Sequence, residues 1–289
     1  MRQVGAVCDN DDMGNLWEHA LTAGRQTLAC ARRHPLALFV GELALVAACS
    51  AVFAVDSENG LFIRTSAFAV LGLAAAELAR EGAVTGRPAD RASRRPQVFW
   101  AAYVLVVGLI GGLAGLAAAG GAASDGVGAA AIASIVLMCV LTGVFEEGVF
   151  RVAAVEAFEA AFGDAAHAPL KAAALSAAVF GLLHVSSADA AAASSAVAWA
   201  QLAAKPVQAA LFGFCLARAY QRTRSLWPLA AFHAMFDVLY LGPTMAATGS
   251  LSPTYVTGQP ADLAVLVLAT VLLIPAAIAA AKEAPAASR

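Results

Sequence analysis

The sequence predicts an all-α fold, a polytopic helical membrane protein of about eight transmembrane helices. Two observations carry that expectation. Of 289 residues, 61% are hydrophobic and 13% charged, with a mean hydropathy of +0.74, whereas an ordinary soluble domain has about 25% charged residues. The apolar residues also lie in long blocks, the pattern of membrane spans, rather than in short alternating runs. A soluble chain of this composition would lack the charge to cover its surface. Soluble enzymes, secreted disulfide scaffolds, disordered chains and nucleic-acid binders are excluded on that ground.

A hydrocarbon core of about 30 Å needs roughly 20 helical residues. Cutting the chain at charges, prolines and glycine clusters places spans at 36–55, 61–79, 97–119, 131–158, 170–188, 200–219, 226–241 and 262–281. Arg32, Arg33 and Pro35 bound the first span on one side; Asp56, Glu58 and Asn59 bound it on the other. Arg80, Arg87, Arg91, Arg94 and Arg95, closed by Pro96, separate the second span from the third and read as a topology anchor. Within the third, Gly108 with Gly112 and Gly111 with Gly115 have the GxxxG spacing that lets a neighbouring helix approach closely. Lys205 with Pro206 reads as the outer end, or a kink, of the sixth span. The stretch 189–199 fits either a loop or a short surface helix, and Glu156 and Glu159, closing the fourth span, are expected to be solvated. Glu42 and Glu77 in the first two spans are given no role.

With the N-terminus in the cytoplasm, 15 of the 18 Lys and Arg residues fall on the cytoplasmic side, and the opposite loops contain none. Both termini are therefore expected inside, in a multi-pass protein of the cytoplasmic membrane. Residues 1–30 are polar or mixed and do not read as a signal peptide, so the first span is expected to direct insertion. The five cysteines are odd in number and form no CxxC pair, which indicates neither a disulfide framework nor a thiolate metal site. The organisation is then an N-terminal cytoplasmic segment 1–35, three spans and their loops over 36–130, a core over 131–241, and an extracytoplasmic loop, last span and cytoplasmic tail over 242–289.

The core holds ionisable side chains that are costly inside a membrane and are functional candidates for that reason. The fourth helix reads Glu146-Glu147-xxx-Arg151, the fifth Phe180-xxx-His184, and the seventh His233-xxx-Asp237. Counted from the cytoplasmic helix ends at 1.5 Å per residue, Glu146, His184, His233 and Asp237 lie about 10 to 21 Å deep, in one layer. His233 and Asp237 share a helix face, as do Glu147 and Arg151, so Arg151 neutralises Glu147 within its own helix. Glu146, about 100° round, is left to face the histidines. Two imidazoles and a carboxylate make a workable zinc shell with an open water position, and a further carboxylate is the usual general base. Taken singly, His184 or His233 fits equally well as an interhelical hydrogen-bond partner, whereas packing does not require two acids, an arginine and two histidines at one depth.

These three motifs in order, on three apolar helices, resemble the CPBP family of intramembrane proteases, which contains the CAAX prenyl endopeptidases and the bacteriocin-processing or immunity proteins of Abi type. The likeness covers about residues 131–241, including the approach Arg222-Thr223-Arg224-Ser225-Leu226-Trp227-Pro228 to the last motif. It implies a protease core in helices four to seven and peptide-bond hydrolysis on a membrane-associated or lipid-modified polypeptide. It further implies that Glu146 activates water with His184, while His233 and Asp237 bind the substrate carbonyl or a metal, with His184, His233 and Asp237 as zinc ligands in the metal version. The family's mechanism is read both ways, with zinc and without it. Its HxxxN or HxxxD motif takes the second form here; an ionised Asp237 cannot donate to an oxyanion, so it must carry a proton or serve as a ligand, which favours the metal version. A proton- or metal-coupled transporter needs a similar polar layer, and a non-catalytic immunity or binding protein needs only the fold.

Overall fold

The computed structural model describes residues 32–52, 58–86, 95–120, 128–251 and 256–283. Helices run α1 (Pro35–Val52), α2 (Glu58–Ala79), α3 (Arg95–Ala118), α4 (Ala129–Glu146), a π-helical segment (Glu147–Ala153), α5 (Ala154–Phe162), α6 (Ala168–Leu182), α7 (Ser187–Ala192), α8 (Ala196–Thr223), α9 (Leu226–Tyr240), α10 (Gly242–Thr248) and α11 (Pro260–Lys282). No strand occurs among the described residues. Among the described residues, five stretches are long and apolar enough to cross a membrane: Gly60–Ala79, Val98–Ala118, Ala129–Phe162, Ala196–Thr223 and Pro260–Lys282. Three shorter apolar helices, Pro35–Ala51, Ala168–Leu182 and Leu226–Tyr240, occupy the other expected span positions. In three of the five long windows only 28% of residues are buried within the protein. The exposed remainder includes Phe99, Val106, Ile132, Leu137 and Val271, the apolar surface a bilayer covers.

Local chemistry sets the boundaries. Ser195 caps α8, its hydroxyl accepting from the Ala198 amide at 3.1 Å, and Ser186 with Asp189 forms a capping box at α7. Proline at the start of α6, α10 and α11 leaves one fewer unsatisfied amide there. Gly163 (φ 51°) follows α5 and Gly249 (φ 69°) follows α10, each in a conformation open to glycine. Arg224 ends α8 at φ 46°, unusual for a side chain, and its guanidinium is held by Glu156 at 3.0 Å and Glu159 at 2.7 Å.

Several expectations change. The fifth span stops at Leu182, not 188, so His184 sits in the turn beyond the helix. The sixth extends from Ala196 to Thr223, which places Lys205 and Pro206 inside it instead of at its end. Of the two forms expected for 189–199, the short helix is present in part, as α7, whereas the expected loop 242–261 opens with α10. Glu156 and Glu159 are not simply solvated: Tyr220, Arg80 and Arg224 converge on Glu156, while Arg224 and Gln221 hold Glu159. Glu77 accepts from the Gly82 and Val84 amides, closing the turn after α2. The termini, the 121–127 loop and most of the basic run 87–94 lie outside the described residues.

Packing positions the core. α9 lies between α3 and α4; α8 lies between α6 and α11; α2 packs along α4 and the π segment. The glycines of α3 serve as expected, since a Cβ on Gly112 would stand 2.0 Å from the Leu239 carbonyl oxygen of α9. Gly143 does the same on the other side of α9, where a Cβ would lie 2.7 Å from the Ala230 oxygen. That close crossing brings the end of α4 against His233. Gly143→Val therefore pushes α4 off α9, with an expected loss of about 1–3 kcal/mol in reversible unfolding in detergent; unchanged stability would show that the crossing is slack.

Candidate active site

The fourth helix of the sequence reading is continuous from Ala129 to Phe162 but changes pitch over Glu147–Ala153, where the backbone is π-helical and every residue is buried. Such wide turns concentrate at functional sites. Here the turn carries Glu147 and Arg151, both with 0% of their side chains exposed, in an ion pair of 3.2 Å. Arg151 also stacks its guanidinium 3.9 Å from the centre of the Phe180 ring. The pairing of Glu147 with Arg151 read from their spacing is thus present, and Phe180 is the wall against which the arginine is held.

His233 joins the two acids. Its Nδ1–H donates to Glu147 Oε1 at 2.7 Å, while its Nε2 faces Glu146 Oε2 at 3.3 Å and Asp237 Oδ2 at 3.5 Å. Phe212 and Phe180 close on the imidazole edgewise, with centroids at 5.0 and 6.2 Å. A lone pair on Nε2 would repel the carboxylate oxygens it faces, so a proton lies in that contact. Glu146, Glu147, Arg151, His233 and Asp237 therefore form one largely buried cluster.

His184 stands beside this cluster, reached through Phe180, whose ring is 4.4 Å from the His184 ring. Its Nδ1–H donates to the Phe180 carbonyl at 2.8 Å, which leaves Nε2 to carry the lone pair. A small cavity of about 30 Å³ is lined by His184, His233, Phe180, Lys205, Gln208 and Phe236, among others. That volume holds one or two water-sized groups.

Lys205 and Gln208 are site-lining residues the motif reading missed. Lys205, 6% exposed, donates from Nζ to Gln208 Oε1 at 2.9 Å, and Gln208 Nε2 donates to Tyr240 Oη at 2.8 Å. The sequence signal was available: a lysine in an apolar helix that also carries Gln201 and Gln208.

In the metal version of the chemistry, His184, His233 and Asp237 would hold a zinc ion. His233 Nε2 lies 3.3 and 3.5 Å from one oxygen of Glu146 and one of Asp237, separations compatible with ligands about 2.0–2.2 Å from a tetrahedral ion. Yet no three His, Cys, Asp or Glu side chains among the described residues are grouped so as to hold a metal ion. His184, His233 and Asp237, the ligands of the metal version, are thus not drawn together in this arrangement.

The buried pair supplies a test. Arg151→Met leaves Glu147 desolvated beside His233 without its cation, an expected loss of about 3–5 kcal/mol. The double variant Arg151→Met/Glu147→Leu removes both charges and should recover a large part of it in the same unfolding assay; equal losses in the two would show that the pair contributes nothing as a pair.

Comparison with curated proteins and with solved structures gives no match. Residues 128–239 match the family described as type II CAAX prenyl endopeptidase Rce1-like. That segment contains Glu146, Glu147, Arg151, His184, His233 and Asp237, and the match supports a likeness to the CPBP/CAAX proteases over that part of the chain.

Proposed function

We propose that the protein is an intramembrane endopeptidase that hydrolyses a peptide bond of a membrane-associated or lipid-modified polypeptide, with Glu146 as the base that activates water. The observation that carries this reading is the juxtaposition of Glu146 with His233 and Asp237 beside a cavity of water size. A carboxylate inside a low-dielectric site is a capable proton acceptor when its proton can be returned to the leaving group. His184 offers its Nε2 lone pair to the same cavity and orients the water. Glu147 and Arg151 hold His233 in place, so their part is positioning.

The family match points to a protease and suggests a prenylated substrate. A membrane-bound substrate is also reasonable physically, since a site among apolar helices is reached most directly by a chain already in or on the bilayer. The clustering of Lys and Arg supports both termini lying in the cytoplasm. A zinc-dependent version would require His184, His233 and Asp237 to draw together on one ion. The chain as folded supports the glutamate-dependent version.

The test is cleavage of fluorogenic peptides bearing a C-terminal prenylated cysteine, with unlipidated transmembrane peptides beside them, by the purified full chain in detergent or vesicles. Wild type should cleave at least one class, and Glu146→Gln should lower kcat by at least about 10²-fold. Activity should survive a zinc chelator. Loss on chelation with recovery on added zinc would restore the metal version. Proton or metal flux dependent on Glu146, with no cleavage of any peptide, would replace the protease with a transporter.

A further inference from the structure

Hydrolysis of a peptide bond places negative charge on the carbonyl oxygen, and a site that accelerates it needs a donor aimed where that charge develops. The motif residues supply few candidates. Glu146, Glu147 and Asp237 accept hydrogen bonds when ionised. Arg151 pairs with Glu147 and lies over the face of Phe180, and it is not among the residues that line the cavity. His184 spends its Nδ1–H on the Phe180 carbonyl, and His233 spends its own on Glu147. The His233 Nε2 proton is shared with the carboxylates in front of it.

On the hydrolytic reading above, we infer that Lys205 is a catalytic residue whose ammonium binds the substrate carbonyl oxygen and the oxyanion formed from it. Lys205 lines the same 30 Å³ cavity as His184 and His233, a space that admits an oxygen-sized group. Its position is held: Nζ donates to Gln208, Gln208 to Tyr240, and Tyr240 stacks on Phe236 at 5.5 Å. The Tyr240 ring lies 6.0 Å from Nζ, a weak further attraction.

Charge balance points the same way. Glu146, Glu147 and Asp237 bring three acidic side chains into one apolar region. Lys205 interacts electrostatically with two of them, Asp237 and Glu146, and so adds a cation where they gather. In the reaction, the water oxygen attacks the carbonyl carbon as Glu146 removes its proton, and the C=O π pair moves to the oxygen held by Lys205. On collapse the C–N bond breaks, Glu146 returns the proton to the departing nitrogen, and a carboxyl and an amine result. Lys205 keeps its proton throughout.

The experiment uses the full chain and whichever reporter peptide wild type cleaves. Lys205→Met should lower kcat about 10²–10³-fold with KM within about threefold, the signature of a group that acts on the transition state. Lys205→Arg should regain part of the loss. The double variant Lys205→Met/Asp237→Asn removes one charge of each sign and puts an amide donor in the cavity's neighbourhood. It should fold as wild type in a detergent melting assay and run at least about tenfold above Lys205→Met. A Lys205→Met kcat within threefold of wild type overturns the inference while leaving the Glu146 reading intact. So does a loss confined to KM, or a lower kcat that the melted fraction accounts for. A Glu146→Gln variant that cleaves as wild type, or a wild type that cleaves nothing, overturns the hydrolytic reading and this inference with it.

Discussion

Three carboxylates taken out of water in one small volume are the constraint around which the centre of this protein is built. An ionised side chain in an apolar medium costs several kcal/mol unless an opposite charge and hydrogen bonds replace its hydration. Each surrounding feature answers part of that demand. Arg151 is locked to Glu147 by the wide turn they share, His233 bridges Glu147 to Glu146 and Asp237, and Lys205 enters from α8. The aromatic residues Phe180, Phe212 and Phe236 exclude water from this network and offer ring edges and faces to its cations and imidazoles. The close crossings of α9 with α3 and α4 bring the helices within reach, because small residues there let backbones touch.

The part of the site that was legible in the sequence was legible because the membrane makes polarity conspicuous. Glu146, Glu147, Arg151, His233 and Asp237 stand out in apolar helices, and their spacing was enough to pair Glu147 with Arg151. The GxxxG pattern of Gly108, Gly111, Gly112 and Gly115 likewise named a packing face that exists. What escaped has equally physical causes. The run Glu147-Gly148-Val149-Phe150-Arg151-Val152-Ala153 contains no proline, its lone Gly148 is tolerated within a helix, and its apolar members fill an α or a π turn alike, so the pitch change leaves no periodic trace. Apolar character continues through Leu182 and Leu183, which hid the early end of α6 and put His184 in a span it does not occupy. Lys205-Pro206 is the usual chemistry of a helix end or of a kink, and in the least apolar of the five long spans the sequence leaves both readings open. The family resemblance supplied roles that spacing alone did not.

A second polar region, further along the same continuous helix, fixes one end of the bundle. Glu156 and Glu159 of α5 gather Arg224, Tyr220, Gln221 and Arg80, joining α5, α8 and the turn after α2. These pairs are partly exposed, so each is worth little alone; as a network they hold Arg224 in its left-handed conformation and so fix where α9 begins. The direction of α9 decides where His233 and Asp237 point. A surface network and a buried one are in this way mechanically in series.

The π segment has one more consequence, for the phase of everything that follows it. A wide turn holds an extra residue relative to an α-helix, so α5 is rotated by about 100° from where uninterrupted α-helix would carry it. The same inserted turn that buries Glu147 and Arg151 thus also directs Glu156 and Glu159 toward Arg224. Removing one residue between Glu147 and Ala153 would relax the helix to ordinary pitch and turn the two networks out of step with each other. Length, at this point in the chain, is as much a part of the site as side-chain identity.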